Sequence, residues 1–209
     1  TTQTQKKEKH FYTLFSIRID SQGNLKYYDV RNRITVDLGS TINFNEWSTM
    51  KIIANTTIGA HLYLNGEFVG LIPNTSNQTQ IDRINFQGAG TPQTGDEFYI
   101  DDLKAPGIVI AEESPDSSLD TFETDIVGQS PEGFMVVSSD GILSQTVVSD
   151  ALAFEGSKSL RVSSKTGQLP VNIFKRFNNS RSGKFEFAIY PVSSENSCLF
   201  GLGSGGNEY

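Results

Sequence analysis

Few side chains in this sequence have the type and spacing that covalent chemistry requires. His10 and His61 are the only histidines, and His61 lies inside an alternating run with no serine or cysteine nucleophile motif beside it. A single cysteine, Cys198, rules out an internal disulfide and a thiolate metal cage, and its apolar run reads as the setting of a buried thiol. Glycines cluster at Gly88-Ala89-Gly90 and from Gly201 to Gly206, but neither cluster joins a strand to a helix, as a phosphate-cradling turn must, so both read as loops. The run Gln5-Lys6-Lys7-Glu8-Lys9-His10 reads as a solvated loop or terminus, and a formal net charge of −7 argues against a nucleic-acid partner. Asn55, Asn74, Asn77 and Asn178 each open an Asn-X-Ser/Thr triplet, which chance supplies in a chain so rich in these residues. What remains is the chemistry of binding: the aromatic rings of Phe11-Tyr12, Tyr27-Tyr28, Tyr63, Tyr190 and Tyr209, and Arg31 and Arg33 on either side of a turn.

The elements that must position these groups are β-strands. Apolar stretches are short, rich in Val, Ile, Phe, Tyr and Thr, and bounded by Gly, Asn, Asp or Ser, and helical periodicity is nearly absent. The pattern predicts strands over 11–20, 25–30, 33–38, 47–54, 60–64, 67–72, 81–86 and 97–103. A second series follows over 121–123, 134–137, 143–148, 159–163, 171–177, 184–190 and 198–202. Asn65-Gly66 between two alternating runs predicts a type I′ hairpin, whose two central residues need positive φ. Strands alternate their side chains, so one of each adjacent aromatic pair must face the core. The 209 residues, with 14 Phe and 7 Tyr, exclude disorder, and the longest apolar run, near Gly107 to Ala111, is far too short for a helical membrane span. An all-β sandwich of two antiparallel sheets is the fold class this arithmetic favours.

Residues 106–117 (PGIVIAEESPDS) read as the one clear linker, separating 1–105 from 118–209. Neither half has a full set of strands of its own, so both are expected to fold together.

Two sets of motifs carry a family resemblance. Asn45-Glu46-Trp47-Ser48-Thr49-Met50-Lys51-Ile52, His61-Leu62-Tyr63-Leu64-Asn65-Gly66-Glu67 and Glu97-Phe98-Tyr99-Ile100-Asp101-Asp102-Leu103 resemble the closing half of a concanavalin-like (laminin-G-like) jelly roll. Asp120-Thr121-Phe122-Glu123, Val127 to Phe134 and Glu155 to Val162 resemble the opening half, and the whole is similar to carbohydrate-binding modules of bacterial polysaccharide-degrading enzymes. The halves stand in exchanged order, as in a circular permutant or a piece cut across two tandem copies. A start at Thr1-Thr2-Gln3-Thr4 suits a processed or excised fragment, and a swapped homodimer is the alternative assembly.

The resemblance implies a secreted bacterial, non-catalytic module with polysaccharide as partner, no membrane, and one structural calcium ion. Its ligands would be Glu123, Glu155, the Lys158 carbonyl and Asp101, with the Thr121 carbonyl in addition; whether Asp101 or Asp102 points inward is left open. Sugar would stack on Tyr12, Tyr28, Tyr63 and Tyr190, with Arg31 and Arg33 gripping an acidic polysaccharide, while Trp47 reads as a core or rim anchor. A hydrolase of this fold would carry three carboxylates closely spaced on one strand, which Glu97, Asp101 and Asp102 approach without matching. Such an enzyme, or a lyase with a Tyr base beside an Arg, is the first alternative, and a structural or adhesive surface module the second.

Overall fold

The structure is a computed structural model that describes residues 11–89, 97–105, 119–137, 145–164, 171–192 and 197–205. Two antiparallel sheets pack face to face in an all-β sandwich. The seven-stranded sheet runs, edge to edge, β10 (Phe134–Val137), β13 (Val171–Ser180), β7 (Ile81–Ala89), β15 (Ser197–Gly205), β1 (Phe11–Ile19), β2 (Asn24–Asp29) and β3 (Ile34–Thr41). The eight-stranded sheet runs β11 (Gln145–Ser149), β12 (Ser159–Ser163), β8 (Glu97–Lys104), β14 (Ser182–Pro191), β4 (Ser48–Asn55), β5 (Gly59–Leu64) and β6 (Glu67–Ile72), with the short β9 (Leu119–Asp120) paired to β8.

Strands from 1–105 and from 118–209 share both sheets and interleave at their centres. β7 lies between β13 and β15, and β8 lies between β12 and β14. The two inner faces share one apolar cluster, in which Phe187 of β14 meets Phe86 of β7 at 5.1 Å and Phe200 of β15 at 5.3 Å, both edge to face. Burying these rings removes strongly apolar area from water on both sheets at once. Residues 106–117 lie outside the described residues, as do 1–10 and Tyr209.

Alternation explains the faces. Along β4, Met50, Ile52 and Ala54 are buried while Thr49, Lys51 and Ile53 point away from the core. At the β5–β6 hairpin, Asn65 (φ 50°) and Gly66 (φ 86°) both take the left-handed conformation that the type I′ turn requires. Three local expectations fail. Gly88-Ala89 and Gly201 to Gly205, expected in loops, lie in β7 and β15. Residues 121–123 are not a strand: pairing stops after Asp120 and the chain turns at Phe122 (φ 61°), whose ring is buried. Arg31 and Arg33 do not flank the β2–β3 turn but lie within it, with Arg33 at φ 56° and Asp29 Oδ1 accepting the Asn32 N–H at 3.0 Å.

Candidate functional site

The outward side chains of the eight-stranded sheet fall into rows across the strands, because antiparallel register places them opposite one another. One row reads Lys104, Glu186, Lys51, Tyr63, Phe68 across β8, β14, β4, β5 and β6. Lys51 Nζ lies 4.3 Å from the Tyr63 ring centroid, and the Phe68 ring meets Tyr63 at 5.5 Å and His61 at 5.8 Å. Phe68 keeps 58% of its surface exposed, so its face is open to a ligand. Glu186 accepts from Lys184 Nζ at 2.9 Å.

The neighbouring row is Asp101, Ala188, Thr49. Beside it lies a groove of about 270 Å³, with Thr49, Lys51, Gly66, Asp102, Phe154 and Ala188 among its lining residues. A third row is Arg161, Tyr99, Tyr190. Trp47, half-buried just before β4, packs on Tyr190 at 5.4 Å and Phe154 at 5.7 Å, a rim anchor as expected. Tyr99 donates to Glu97 Oε1 at 3.0 Å, and Arg161 pairs with the other oxygen of Glu97. Burial, then the Glu97 carboxylate, pushes the Tyr99 hydroxyl above its ordinary range, while hydrogen bonding to Glu97 raises the Arg161 guanidinium.

The residues nominated for calcium converge on one loop, but as hydrogen-bond partners. Asp101, fully buried, accepts the Phe154 N–H at 2.8 Å and the Glu155 N–H at 3.3 Å on Oδ2, and the Asp102 N–H at 2.8 Å on Oδ1. Glu123 Oε1 accepts the Ser157 and Lys158 N–H groups, each at 2.8 Å, and Oε2 accepts the Ser157 hydroxyl at 2.8 Å. Gly156 (φ 69°) makes this approach possible, since a Cβ there would stand 2.5 Å from Glu123 Oε1. The Lys158 ammonium donates to the carbonyls of Glu123 at 2.7 Å and Asp125 at 2.9 Å.

Calcium needs six or more oxygens free to face it. Here Asp101 and Glu123 accept the loop's N–H groups, and the Lys158 ammonium holds the carbonyls of Glu123 and Asp125, which are not the Lys158 and Thr121 carbonyls of the expected set. Among the described residues no three His, Cys, Asp or Glu side chains group as a metal would require. Asp101 and Glu123 are thus engaged by the backbone of the 154–158 loop in this structure. Of the adjacent pair, Asp101 is covered by the loop. Asp102 (φ 48°) lines the groove, and burial, then Glu155, raises its carboxyl. Thr121 is half-buried beside the turn at Phe122. Those N–H bonds, Ser157 first, hold the Glu123 carboxyl below its usual range. Lys158→Met, which strips donors from two carbonyls, is expected to cost about 1–2 kcal/mol in a thermal melt.

The aromatic candidates divide between opposite faces. Tyr63 and Tyr190 share the outer face of the eight-stranded sheet, whereas Tyr28 and Arg31 line a groove on the seven-stranded sheet. Arg33 is exposed in its turn and lines neither groove, and the Tyr12 side chain lies outside the described residues. Sequence reasoning passed over Lys51, Phe68, Phe154 and Glu186. Outward alternation from the Asn65-Gly66 hairpin would have found Phe68 opposite Tyr63, because that turn joins β5 to β6.

The chain matches no protein-family model and no curated protein.

Proposed function

We propose that this chain is a non-catalytic polysaccharide-binding module that uses the outer face of its eight-stranded sheet and holds an associated catalytic domain on a polymeric substrate. One observation carries the reading: the row Lys104, Glu186, Lys51, Tyr63, Phe68, which ends in an exposed ring and runs beside a groove. Sugars present apolar faces to aromatic rings and hydroxyls to charged groups, and the row offers charged groups at one end and rings at the other. Five strands side by side span roughly 19 Å, long enough for a linear chain of several rings and longer than a monosaccharide needs. Binding of this kind raises the effective concentration of a tethered enzyme on its polymer. A secreted bacterial setting belongs with this reading.

The nearest catalytic alternative draws less support. A lyase base must lose its proton readily, yet Tyr99 is pushed the other way by burial and by the carboxylate it donates to. Titration of neutral and acidic polysaccharides is expected to find a ligand whose affinity falls about tenfold in Phe68→Ala, the loss expected when one stacking ring is removed. Turnover of that polymer by the chain alone, or equal binding by the variant, would overturn the reading.

A further inference from the structure

We infer that the opposite face of the sandwich carries a second ligand site, which takes a saccharide unit bearing a carboxylate. A groove of about 610 Å³ lies on the outer side of the seven-stranded sheet, between β1, the end of β2 and the 73–80 connection. Thr13, Ser16, Tyr28, Arg31, Thr75 and Asn77 line it. Alternation sends Tyr27 to the core and leaves Tyr28 43% exposed, with its ring available for stacking.

The groove is preorganised. Asn74 Nδ2 donates to the carbonyls of Thr56 at 2.7 Å and Gln78 at 3.0 Å, while Asn74 Oδ1 accepts from Ser76 N at 3.0 Å and Ser76 Oγ at 2.8 Å. Ser204 Oγ donates to Gln78 Oε1 at 2.9 Å, and the Val30 N–H donates to Thr75 Oγ1 at 3.0 Å, tying one rim to the other. A connection fixed in this way loses little entropy when a ligand arrives. Its remaining hydroxyls and amides match the hydrogen-bonding groups of a sugar.

Charge selects the kind of sugar. Arg31 is the sole charged residue among the described residues lining the groove, in a chain of net charge −7. The nearby Asp29 carboxylate accepts the Asn32 N–H at 3.0 Å and its Nδ2 at 2.8 Å; the Asn32 backbone bond leads the effects that hold its carboxyl low, with the Arg31 N–H and the Arg31 charge contributing after it. A guanidinium fork beside an open aromatic face suits a carboxylate carried on a pyranose ring. The saccharide part of the inference rests on the carbohydrate-binding reading above.

Calorimetric titration of the chain with trigalacturonate and with neutral galactotriose tests it. Trigalacturonate is expected to bind about tenfold or more tighter than galactotriose, and Tyr28→Ala and Arg31→Gln are each expected to weaken it about tenfold. Both positions are at the surface, and circular dichroism checks that the variants fold. No binding of trigalacturonate, or parental binding by both variants, overturns the inference. Loss of trigalacturonate in Phe68→Ala but not in Tyr28→Ala places the ligand on the other face, which overturns this site and leaves the proposed function standing. Tyr28-dependent binding in a chain with no Phe68-dependent ligand among neutral or acidic polymers supports this site and removes the other.

Discussion

Phe187→Ala is expected to destabilise the protein by about 3–5 kcal/mol, the cost of an unfilled aromatic cavity. That corresponds to a fall of roughly 6–20 °C in melting temperature for a chain of this size. The ring is 2% exposed and is wedged between Phe86 and Phe200 of the facing sheet. Phe86 belongs to 1–105, whereas Phe187 and Phe200 belong to 118–209. Scanning calorimetry is therefore expected to show one transition that moves as a whole, because strands of both segments lie against each other in both sheets. Two transitions, with only one shifted, would show that the segments do not share a cooperative core.

Asp101→Ala carries the second large effect. Its carboxylate is the acceptor for the Phe154 and Glu155 N–H groups, and without it those donors face a methyl group. Unsatisfied buried donors cost about 2–4 kcal/mol together, or roughly 5–15 °C near pH 5. The deficit should depend on pH. Burial, working against the bonds from Phe154, Asp102 and Glu155, raises the Asp101 carboxyl from 3.8 to about 6. The folded protein therefore holds this proton more tightly than the unfolded chain, and the contribution is full below pH 3.8 and declines as pH rises through about 6. Melting both proteins from pH 4 to 7 is expected to show the gap narrowing. A gap that widens with pH would mean that the ionised form is the one the loop favours.

Acidic residues elsewhere oppose this trend. Burial tends to raise the Asp20 carboxyl in the β1–β2 turn, but Lys26 at 2.7 Å, Asn24 and Gln22 outweigh it and hold the group well below its ordinary range. Its contribution is present above the ordinary value and is lost as pH falls through the lowered one, so Asp20 and Asp101 act on opposite limbs of the stability profile.

Local rules made much of the fold legible. Met50, Ile52 and Ala54 alternate with Thr49, Lys51 and Ile53, and that period-two pattern is sufficient to identify β4 and its buried face. Asn65-Gly66 is sufficient for the hairpin that follows. The pattern misled at 121–123, where the buried ring of Phe122 resembles a strand residue but serves a left-handed turn. Local preference has no means of distinguishing these, because burial of one ring is common to both.

The binding residues were legible as types and not as groups. Tyr28, Tyr63 and Tyr190 were visible as possible platforms, yet which of them act together depends on β5 and β14 lying in one sheet and β2 in the other. Lys104, Glu186 and Tyr63 are far apart in sequence and become a row through the register of β8, β14, β4 and β5. The acids near the 154–158 loop tell the same story: the resemblance grouped Asp101, Glu123 and Glu155, but only the folded chain shows which N–H groups Asp101 and Glu123 accept.

By itself, then, the sequence determined the fold class, most strand positions, the burial of alternate residues and the acidic balance, since each depends on neighbours a few positions away. Sheet order, the interleaving of the two segments, the division of the aromatics between two faces and the partners of Asp101 and Glu123 were decided by the tertiary structure. Those outcomes turn on long-range pairing, where a one-residue change in register exchanges the buried and exposed faces of a strand.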